Sequence, residues 1–285
     1  MKVIGIYICL FFGLILSCKN PKNEIKYTIE TIENPTNRVV LSSEIVWEKL
    51  NPARGDQSPK AGTIWGDRKG TVATGFLAKF VDGFSSPPHI HNVTYRAVVI
   101  KGMIHNDDEN APNMWMQPGS FWSQPKGQSH ITSAKGEENI AYVEIDYGPY
   151  LVKPTDEAFE SKEYPVNIDA SNIVWLTKDK TNWIEDSKAT ISFLWESKKN
   201  DGLQGIFVKL PKNFDGKITS TGNIFHAIVI KGNLKYVMPT TDEVKMLDVG
   251  SYFTASNRAI HDLFIEENEG VLLYIRTNDA IKIVE

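Results

Sequence analysis

Short apolar runs separated by polar breaks make up the chain from about Val39 onward. The runs are rich in β-branched and aromatic residues, and Gly, Pro, Asn and Asp stand between them. No long stretch repeats its apolar positions at the helical period of about 3.6 residues. The pattern is typical of strands joined by tight turns, and it predicts an all-β fold.

The apolar runs occur twice in the same order. The run AVVIKG returns later as AIVIKG, and GFLAKF returns as GIFVKL. Trp65 and Gly75 also recur in step with these runs. A unit of this length is a domain, since solenoid repeats are ~20 to 50 residues long. We therefore predict two related domains, at 39–150 and 165–285, joined by a segment rich in Pro and charge.

Residues 1–17 have a different character. One Lys precedes an apolar run too short to span a bilayer, which indicates a signal peptide. The residues up to Cys18 resemble the bacterial lipobox, which implies that Cys18 is acylated and anchors the protein to a membrane; an ordinary secreted protein is the alternative. Residues 18–38 are polar and predict a tether. We expect a cell-envelope location, on the periplasmic or surface side.

Composition narrows the class of partner. The net charge is −4, and no cluster of Lys and Arg is interleaved with aromatic residues, which argues against nucleic-acid binding. Cys9 and Cys18 are the two cysteines, so the folded part has no thiol for a disulfide or a metal site. A small-molecule substrate or ligand is expected. The sequence leaves the oligomeric state open, with a homodimer among the options.

Two short segments carry candidate chemistry. His89 and His91 alternate along a predicted strand, so both side chains share a face with Tyr95. A later segment, GSFWSQPKGQSH, is predicted as a strand, a turn and a strand that begins with His130. Adjacent imidazoles can share a metal ion, although two alternating histidines are also common in strands without one.

These segments resemble the paired motifs of the cupin superfamily, and more narrowly those of two-cupin proteins. The matching residues are Gly83, His89, His91 and Gly102 in the first motif and Gly119, Pro125, Gly127 and His130 in the second. The resemblance implies two tandem jelly-roll barrels. It also implies one divalent transition metal, held by His89, His91 and His130. Fe, Zn, Ni and Cu all accept imidazole ligands, and the sequence does not choose among them.

One position departs from the cupin pattern. The expected glutamate is replaced by Tyr95, or by Arg96 if the spacing is one residue longer. A phenol is mostly protonated at neutral pH, so we expect Tyr95 to hydrogen-bond a metal-bound water or substrate; direct ligation is the alternative for a more oxidised metal. Three neutral imidazoles leave the charge of the ion uncompensated, which predicts an anionic co-ligand.

Other residues are candidates for the pocket. His105 is a second candidate catalytic residue, with a solvated or structural role as the alternative. An apolar pocket wall, or else a plain core, is expected from Met114, Trp115, Met116 and Trp122.

The second copy lacks the paired histidines. Aligning AIVIKG on AVVIKG puts Thr219 and Thr221 where His89 and His91 stand, and it retains only His261. One imidazole does not hold an ion. We therefore predict a degenerate cupin barrel without metal; a ligand site formed by Thr219, Thr221 and His261 is the alternative.

The leading functional interpretation is a metal-dependent enzyme acting on a small organic molecule. The resemblance to three-histidine cupins implies dioxygenase chemistry first, with isomerase or hydrolase chemistry second. The alternative is a metal-containing binding or sensing protein without catalysis. Storage of an ion at the envelope is a third interpretation. An open coordination position facing a cavity favours catalysis over a structural metal.

Overall fold

The computed structural model describes residues 32–199, 201–266 and 269–285. The predicted signal peptide, Cys18 and most of the predicted tether lie outside these ranges. The fold-class prediction is confirmed, because the described chain consists of strands and short 3-10 helices arranged as two tandem cupin-type barrels. No helix in the described ranges is long and apolar enough to cross a membrane.

One antiparallel sheet builds most of the first barrel. The strands of this half are β1 (Arg38–Val40), β2 (Glu48–Lys49), β3 (Lys60–Trp65), β4 (Thr74–Phe80), β5 (Ile90–His91), β6 (Tyr95–Asp107), β7 (Phe121–Gln124), β8 (Ile131–Ile145), β9 (Val152–Lys153) and β10 (Val166–Ile168). Within the sheet the strand order is β10-β7-β6-β8-β4-β3-β2, and β5 pairs separately with β9. The 3-10 helices are Ser42–Glu44, Pro52–Gln57, Thr155–Glu157 and Ala170–Asn172.

Two antiparallel sheets build the second barrel. Its strands are β11 (Thr190–Glu196), β12 (Gln204–Leu210), β13 (Asp215–Ser220), β14 (Phe225–Lys231), β15 (Leu234–Val237), β16 (Val244–Leu247), β17 (Tyr252–Ala255), β18 (Ala259–Phe264), β19 (Val271–Thr277) and β20 (Ile281–Val284). One sheet has the order β1-β17-β14-β19-β12-β11 and the other β16-β15-β18-β13-β20.

The two halves exchange edge strands. β1 pairs with β17 of the second barrel, and β10 pairs with β7 of the first. Each exchanged strand covers a sheet edge whose hydrogen-bonding groups would otherwise be unpaired. The domain limits at 39–150 and 165–285 stay a prediction. Backbone hydrogen bonds join the two halves where β1 pairs with β17 and where β10 pairs with β7.

A shared apolar layer lies between the barrels. Along β6, Ala97 and Val99 point into the core of the first barrel, whereas Val98 and Ile100 point to the shared layer, where they meet residues such as Ile228. Successive strand residues face opposite sides of a sheet, so both faces of this strand are buried. This is why the run AVVIKG and its counterpart are apolar throughout.

The recurring tryptophans and glycines also lie at this interface. The indole N–H of Trp65 donates to the Tyr142 hydroxyl at 3.1 Å, and that of Trp195 donates to the Tyr274 hydroxyl at 2.9 Å. A Cβ on the glycine that faces each indole would overlap the indole nitrogen. The interface geometry therefore explains why the Trp and Gly positions recur together.

At the centre of the interface the two barrels have residues of opposite charge at equivalent positions. Glu144 and Arg276 each lie opposite the interface glycine of their own barrel, so they occupy equivalent positions. Glu144 is fully buried, and Arg276 is 3% exposed. Their side chains form an ion pair of 3.2 Å, and the hydroxyls of Tyr142 and Tyr274 donate to the same carboxylate at 3.0 and 2.7 Å.

Candidate metal centre

Three histidines converge inside the first barrel. His91 lies in β5, while His89 and His130 directly precede β5 and β8 and exchange two backbone hydrogen bonds of 3.0 Å. The ligand nitrogens of the three side chains all lie within 4.8 Å of one another. His91 and His130 are buried, and His89 is half-buried, so one side of the group is accessible. The three residues predicted from the motif spacing are thus brought together.

Backbone carbonyls orient all three rings. Nδ1 lies 2.9 Å from the Pro87 oxygen in His89, 3.0 Å from the Leu151 oxygen in His91 and 3.2 Å from the Gln128 oxygen in His130. A carbonyl can only accept, so each Nδ1 carries the proton and each Nε2 keeps a free lone pair. Metal-ligating histidines in proteins commonly have such a partner for the other ring nitrogen.

The Nε2 lone pairs of two of these histidines face each other with no proton between them. The Nε2 atoms of His89 and His91 are 3.2 Å apart. With both Nδ1 atoms protonated, these two atoms face each other as acceptors, an arrangement that a cation between them stabilises. The donor set therefore fits a divalent transition metal.

Burial keeps the rings neutral, as ligation requires. Burial, and after it the nearby His89, lowers the pKa of His130 to about 3. Burial and then the neighbouring His130 and His89 hold the pKa of His91 well below its usual value, and burial also lowers that of His89. Neutral imidazole is the metal-binding form, so no proton has to be displaced from these rings at pH 7.

Tyr95 lies beside the histidines, as the spacing predicts. Its hydroxyl donates to Asn106 Oδ1 at 2.8 Å and is 3.3 Å from His130 Nε2. Asn106 is fixed in turn, because it accepts from Thr132 at 2.8 Å and donates to Gln124 at 3.0 Å. Burial raises the pKa of Tyr95, so its phenol stays protonated. Arg96, the other candidate for the glutamate position, points away and pairs with Asp146 at 3.0 Å.

Tyr150 is a site residue that the sequence analysis missed. Its hydroxyl is 3.1 Å from His91 Nε2, and its ring stacks on the His91 ring with centroids 4.4 Å apart. Tyr150 is the last residue of the predicted first domain, and the segment that follows it pairs through β9 with β5, the strand that holds His91. A strand is recognised in a sequence by alternating apolar and polar residues. Because β9 has only two residues, it is too short to show this alternation.

His105 and most of the predicted pocket wall lie elsewhere. His105 is buried on β6, with Nδ1 3.3 Å from the Met114 carbonyl oxygen and its ring 6.0 Å from that of Trp115. Its predicted catalytic role stays a prediction, since these contacts do not include the three histidines. Among the predicted wall residues, Trp122 lines the cavity next to the site, and Met116 packs in the barrel core.

A cavity of about 410 Å³ opens onto the histidines. Its lining includes His89, His91, Tyr95 and Tyr150, and most of the remaining wall is apolar. This size falls in the range of small-molecule sites. The histidines thus face a space that admits a ligand.

The second barrel is filled instead of open. His261 pairs with Ile218 across β13 and β18, whereas His130 bridges His89, so Ile218 occupies the place of His89. The alignment that put Thr219 and Thr221 there is wrong by one residue. Both threonines point out of the barrel, and Thr221 donates to an exposed aspartate.

His261 serves as a core residue of the second barrel. Its Nδ1 is 2.7 Å from the Tyr236 hydroxyl, and its ring stacks on Phe225 at 4.2 Å. Within the described residues, His89, His91 and His130 form the group of three or more potential ligands that lie close enough to bind one metal. The alternative of a threonine-based site in this barrel is therefore not supported.

The fold and the histidine group define a protein of two cupin-type barrels, with three histidines that could bind a metal ion. A family described as a domain of unknown function, DUF4437, matches residues 38–284, and the chain belongs to this family. A comparison with curated proteins finds no match.

Solved structures share the fold at low sequence identity. A Nostoc punctiforme protein provisionally described as a dioxygenase has a TM-score of 0.66 at 14% identity, over 86% of this chain and 83% of that chain. Oxalate decarboxylase of Lactobacillus farciminis, in a formate complex, gives 0.57 at 10%, over 90% and 89%. Hazelnut (Corylus avellana) vicilin gives 0.55 at 10%, over 86% and 87%. These identities show the fold alone, because one architecture serves unrelated functions.

Proposed function

We propose that the protein is a metal-dependent enzyme acting on a small organic molecule. His89, His91 and His130 would hold one divalent transition ion. The observation that carries the proposal is the convergence of three oriented, neutral imidazoles on a cavity large enough for a ligand. Dioxygenase chemistry is the first candidate, and isomerisation or hydrolysis is the second. Fe, Zn, Ni and Cu all remain candidates for the ion.

The bound ion would supply Lewis acidity and an open position for substrate, water or oxygen. The chain's own residues divide the remaining tasks. The Tyr150 hydroxyl, beside His91 Nε2, can donate a hydrogen bond to whatever occupies the open position, whereas the Tyr95 hydroxyl, whose proton goes to Asn106, can accept one from a bound water or substrate. The apolar walls limit the access of water. No carboxylate belongs to the ligand group, so an anionic co-ligand would balance the charge of the ion.

A metal-containing binding or sensing protein is the second candidate. It has the same fold and the same ligands, and it differs in having no turnover. The cavity beside the ligands favours the enzyme, because a structural metal is normally enclosed by four protein ligands.

Elemental analysis of the full chain, purified without added metal, tests the proposal. We expect about one equivalent of metal in the parent and none in the double variant His89→Ala/His91→Ala. His105→Gln is the matched control, because it removes a buried histidine outside the group and should leave the metal content unchanged. No metal in the parent, even after reconstitution, would refute the proposal. If the parent does contain metal, oxygen uptake by an iron-loaded sample separates dioxygenase chemistry from the other reactions.

Two further predictions concern location and assembly. We propose that acylation of Cys18 anchors the protein in the cell envelope; incorporation of labelled palmitate that is lost in Cys18→Ser tests this. A homodimer is a separate expectation, which sedimentation velocity of the purified protein decides.

A further inference from the structure

The cavity at the candidate metal centre has an unbalanced charge. Apart from the histidines, Arg54 is the one lining residue in the described chain with an ionisable group that is charged at neutral pH, and no Asp or Glu lines the cavity. A divalent ion on three neutral imidazoles would add two more positive charges. The field in this low-dielectric space therefore favours a negatively charged ligand.

Arg54 stands at the cavity without a carboxylate partner. It lies in the 3-10 helix Pro52–Gln57, exposed to solvent, and its guanidinium is 5.4 Å from the centre of the Phe84 ring. Three other arginines each pair with a carboxylate: Arg68 with Glu48, Arg96 with Asp146 and Arg276 with Glu144. Among the described residues, no carboxylate oxygen lies within 4.0 Å of the Arg54 nitrogens, so its planar fork is free to bind an anion.

Apart from Arg54 and the histidines the cavity is largely apolar. Its walls include Phe76, Phe80, Phe84 and Trp122, and no second charged side chain lines it. A ligand that contacts both Arg54 and the histidines therefore needs an apolar body. Aromatic walls suit a flat or aliphatic carbon skeleton in particular.

We propose that the substrate is a small carboxylic acid with an apolar body, bound through its carboxylate at Arg54. The guanidinium receives the carboxylate in a bidentate pair, and the apolar body lies against the phenylalanine walls. The opposite end of the molecule reaches the histidines and Tyr150. This assignment rests on the proposed function, because the reacting end is placed at the proposed metal.

Matched pairs of probes test the inference by calorimetry on the full chain, with zinc bound and without metal. The pairs are benzoate with benzamide and phenylacetate with phenylacetamide, which differ in charge and little in shape. The variants are Arg54→Gln, Arg54→Lys and the control Lys60→Gln, which removes an exposed charge outside the cavity lining. Metal content is measured on the same samples.

In the parent and in Lys60→Gln we expect each carboxylate to bind at least about tenfold more tightly than its amide. In the metal-free protein Arg54→Gln should remove that preference, and with zinc bound it should weaken the preference without changing the metal content. Arg54→Lys should restore part of it, because an ammonium lacks the planar fork. Equal affinities within both pairs, no binding of either acid at millimolar concentration, or a preference that survives Arg54→Gln in the metal-free protein would overturn the inference. A parent without metal refutes the proposed function, whereas the charge preference of the metal-free protein still tests Arg54.

Discussion

Removing Arg276 should destabilise the whole protein, although it lies outside the candidate metal centre. In Arg276→Met the fully buried carboxylate of Glu144 would lose its cationic partner at 3.2 Å. The hydroxyls of Tyr142 and Tyr274 would remain as donors, but neither carries a charge. Asp146 would also lose one of its two arginine partners, at 2.9 Å.

The expected cost is large for a single substitution. Breaking a buried ion pair by removing one partner costs about 3–5 kcal/mol, because the other charge stays buried. Natural domains have a total stability of about 5–15 kcal/mol. At about 2–4 °C per kcal/mol for a protein of this size, the melting temperature should fall by about 6–20 °C. The exposed pair Lys217–Asp262, at 3.6 Å, gives the contrast, since such pairs contribute about 0–1 kcal/mol.

Urea unfolding of four proteins decides the matter: the parent, Arg276→Met, the double variant Glu144→Gln/Arg276→Met and the control Lys217→Met. We expect a large loss in Arg276→Met, a partial recovery in the double variant because the buried charge is gone, and a change below about 1 kcal/mol in the control. A cost below about 1 kcal/mol in Arg276→Met, or a double variant less stable than Arg276→Met, would refute the reasoning.

Three further substitutions test the site and the second barrel. Tyr95→Phe should keep the metal content of the parent and lower turnover by about 10- to 100-fold, since only a hydroxyl that can hydrogen-bond a bound water or substrate is lost; equal losses of both would show that Tyr95 is a ligand. Gly127→Ala should cost about 1–3 kcal/mol in urea unfolding, because φ is +75° and the new Cβ would lie 2.5 Å from the Phe159 oxygen. Burial lowers the pKa of His261 to about 3, so the unfolded chain, with a histidine pKa near 6.5, takes up the proton first as the pH falls. Stability should therefore drop between about pH 6.5 and pH 3, by up to about 1.4 kcal/mol per pH unit from this residue, and His261→Phe should flatten that slope by the same amount.

The fold could be predicted from the sequence because its signal is local and occurs twice. Apolar runs with turn residues between them indicate strands, and the recurrence of Trp65 and Gly75 marks equivalent positions that the structure explains by contact between indole and backbone. The exchange of β1 and β10 between the halves could not be predicted, because edge pairing depends on which open edge lies nearby in space.

The candidate site was predicted where its residues follow a spacing and missed where they do not. His89, His91 and His130 fit a motif, whereas Tyr150 reaches His91 from a segment 59 residues away along the chain. In the second barrel the error has a specific cause. The connection from β13 to β14 is one residue longer than that from β5 to β6, and a slip of one residue moves every side chain to the opposite face of a strand.

The two barrels have the same architecture but different interiors, and this difference limits where chemistry can occur. In the second barrel Ile218 and Phe225 fill the space that His89 and Tyr95 border in the first, and the surrounding core is apolar. The outer faces of both barrels then form the shared layer, held in one arrangement by the Glu144–Arg276 pair. Because Glu and Arg occupy equivalent positions, two copies of the same barrel would place like charges together in that layer. The two barrels therefore differ in two ways. At the interface one has Glu144 where the other has Arg276, and in the interior one is open to a ligand where the other is filled.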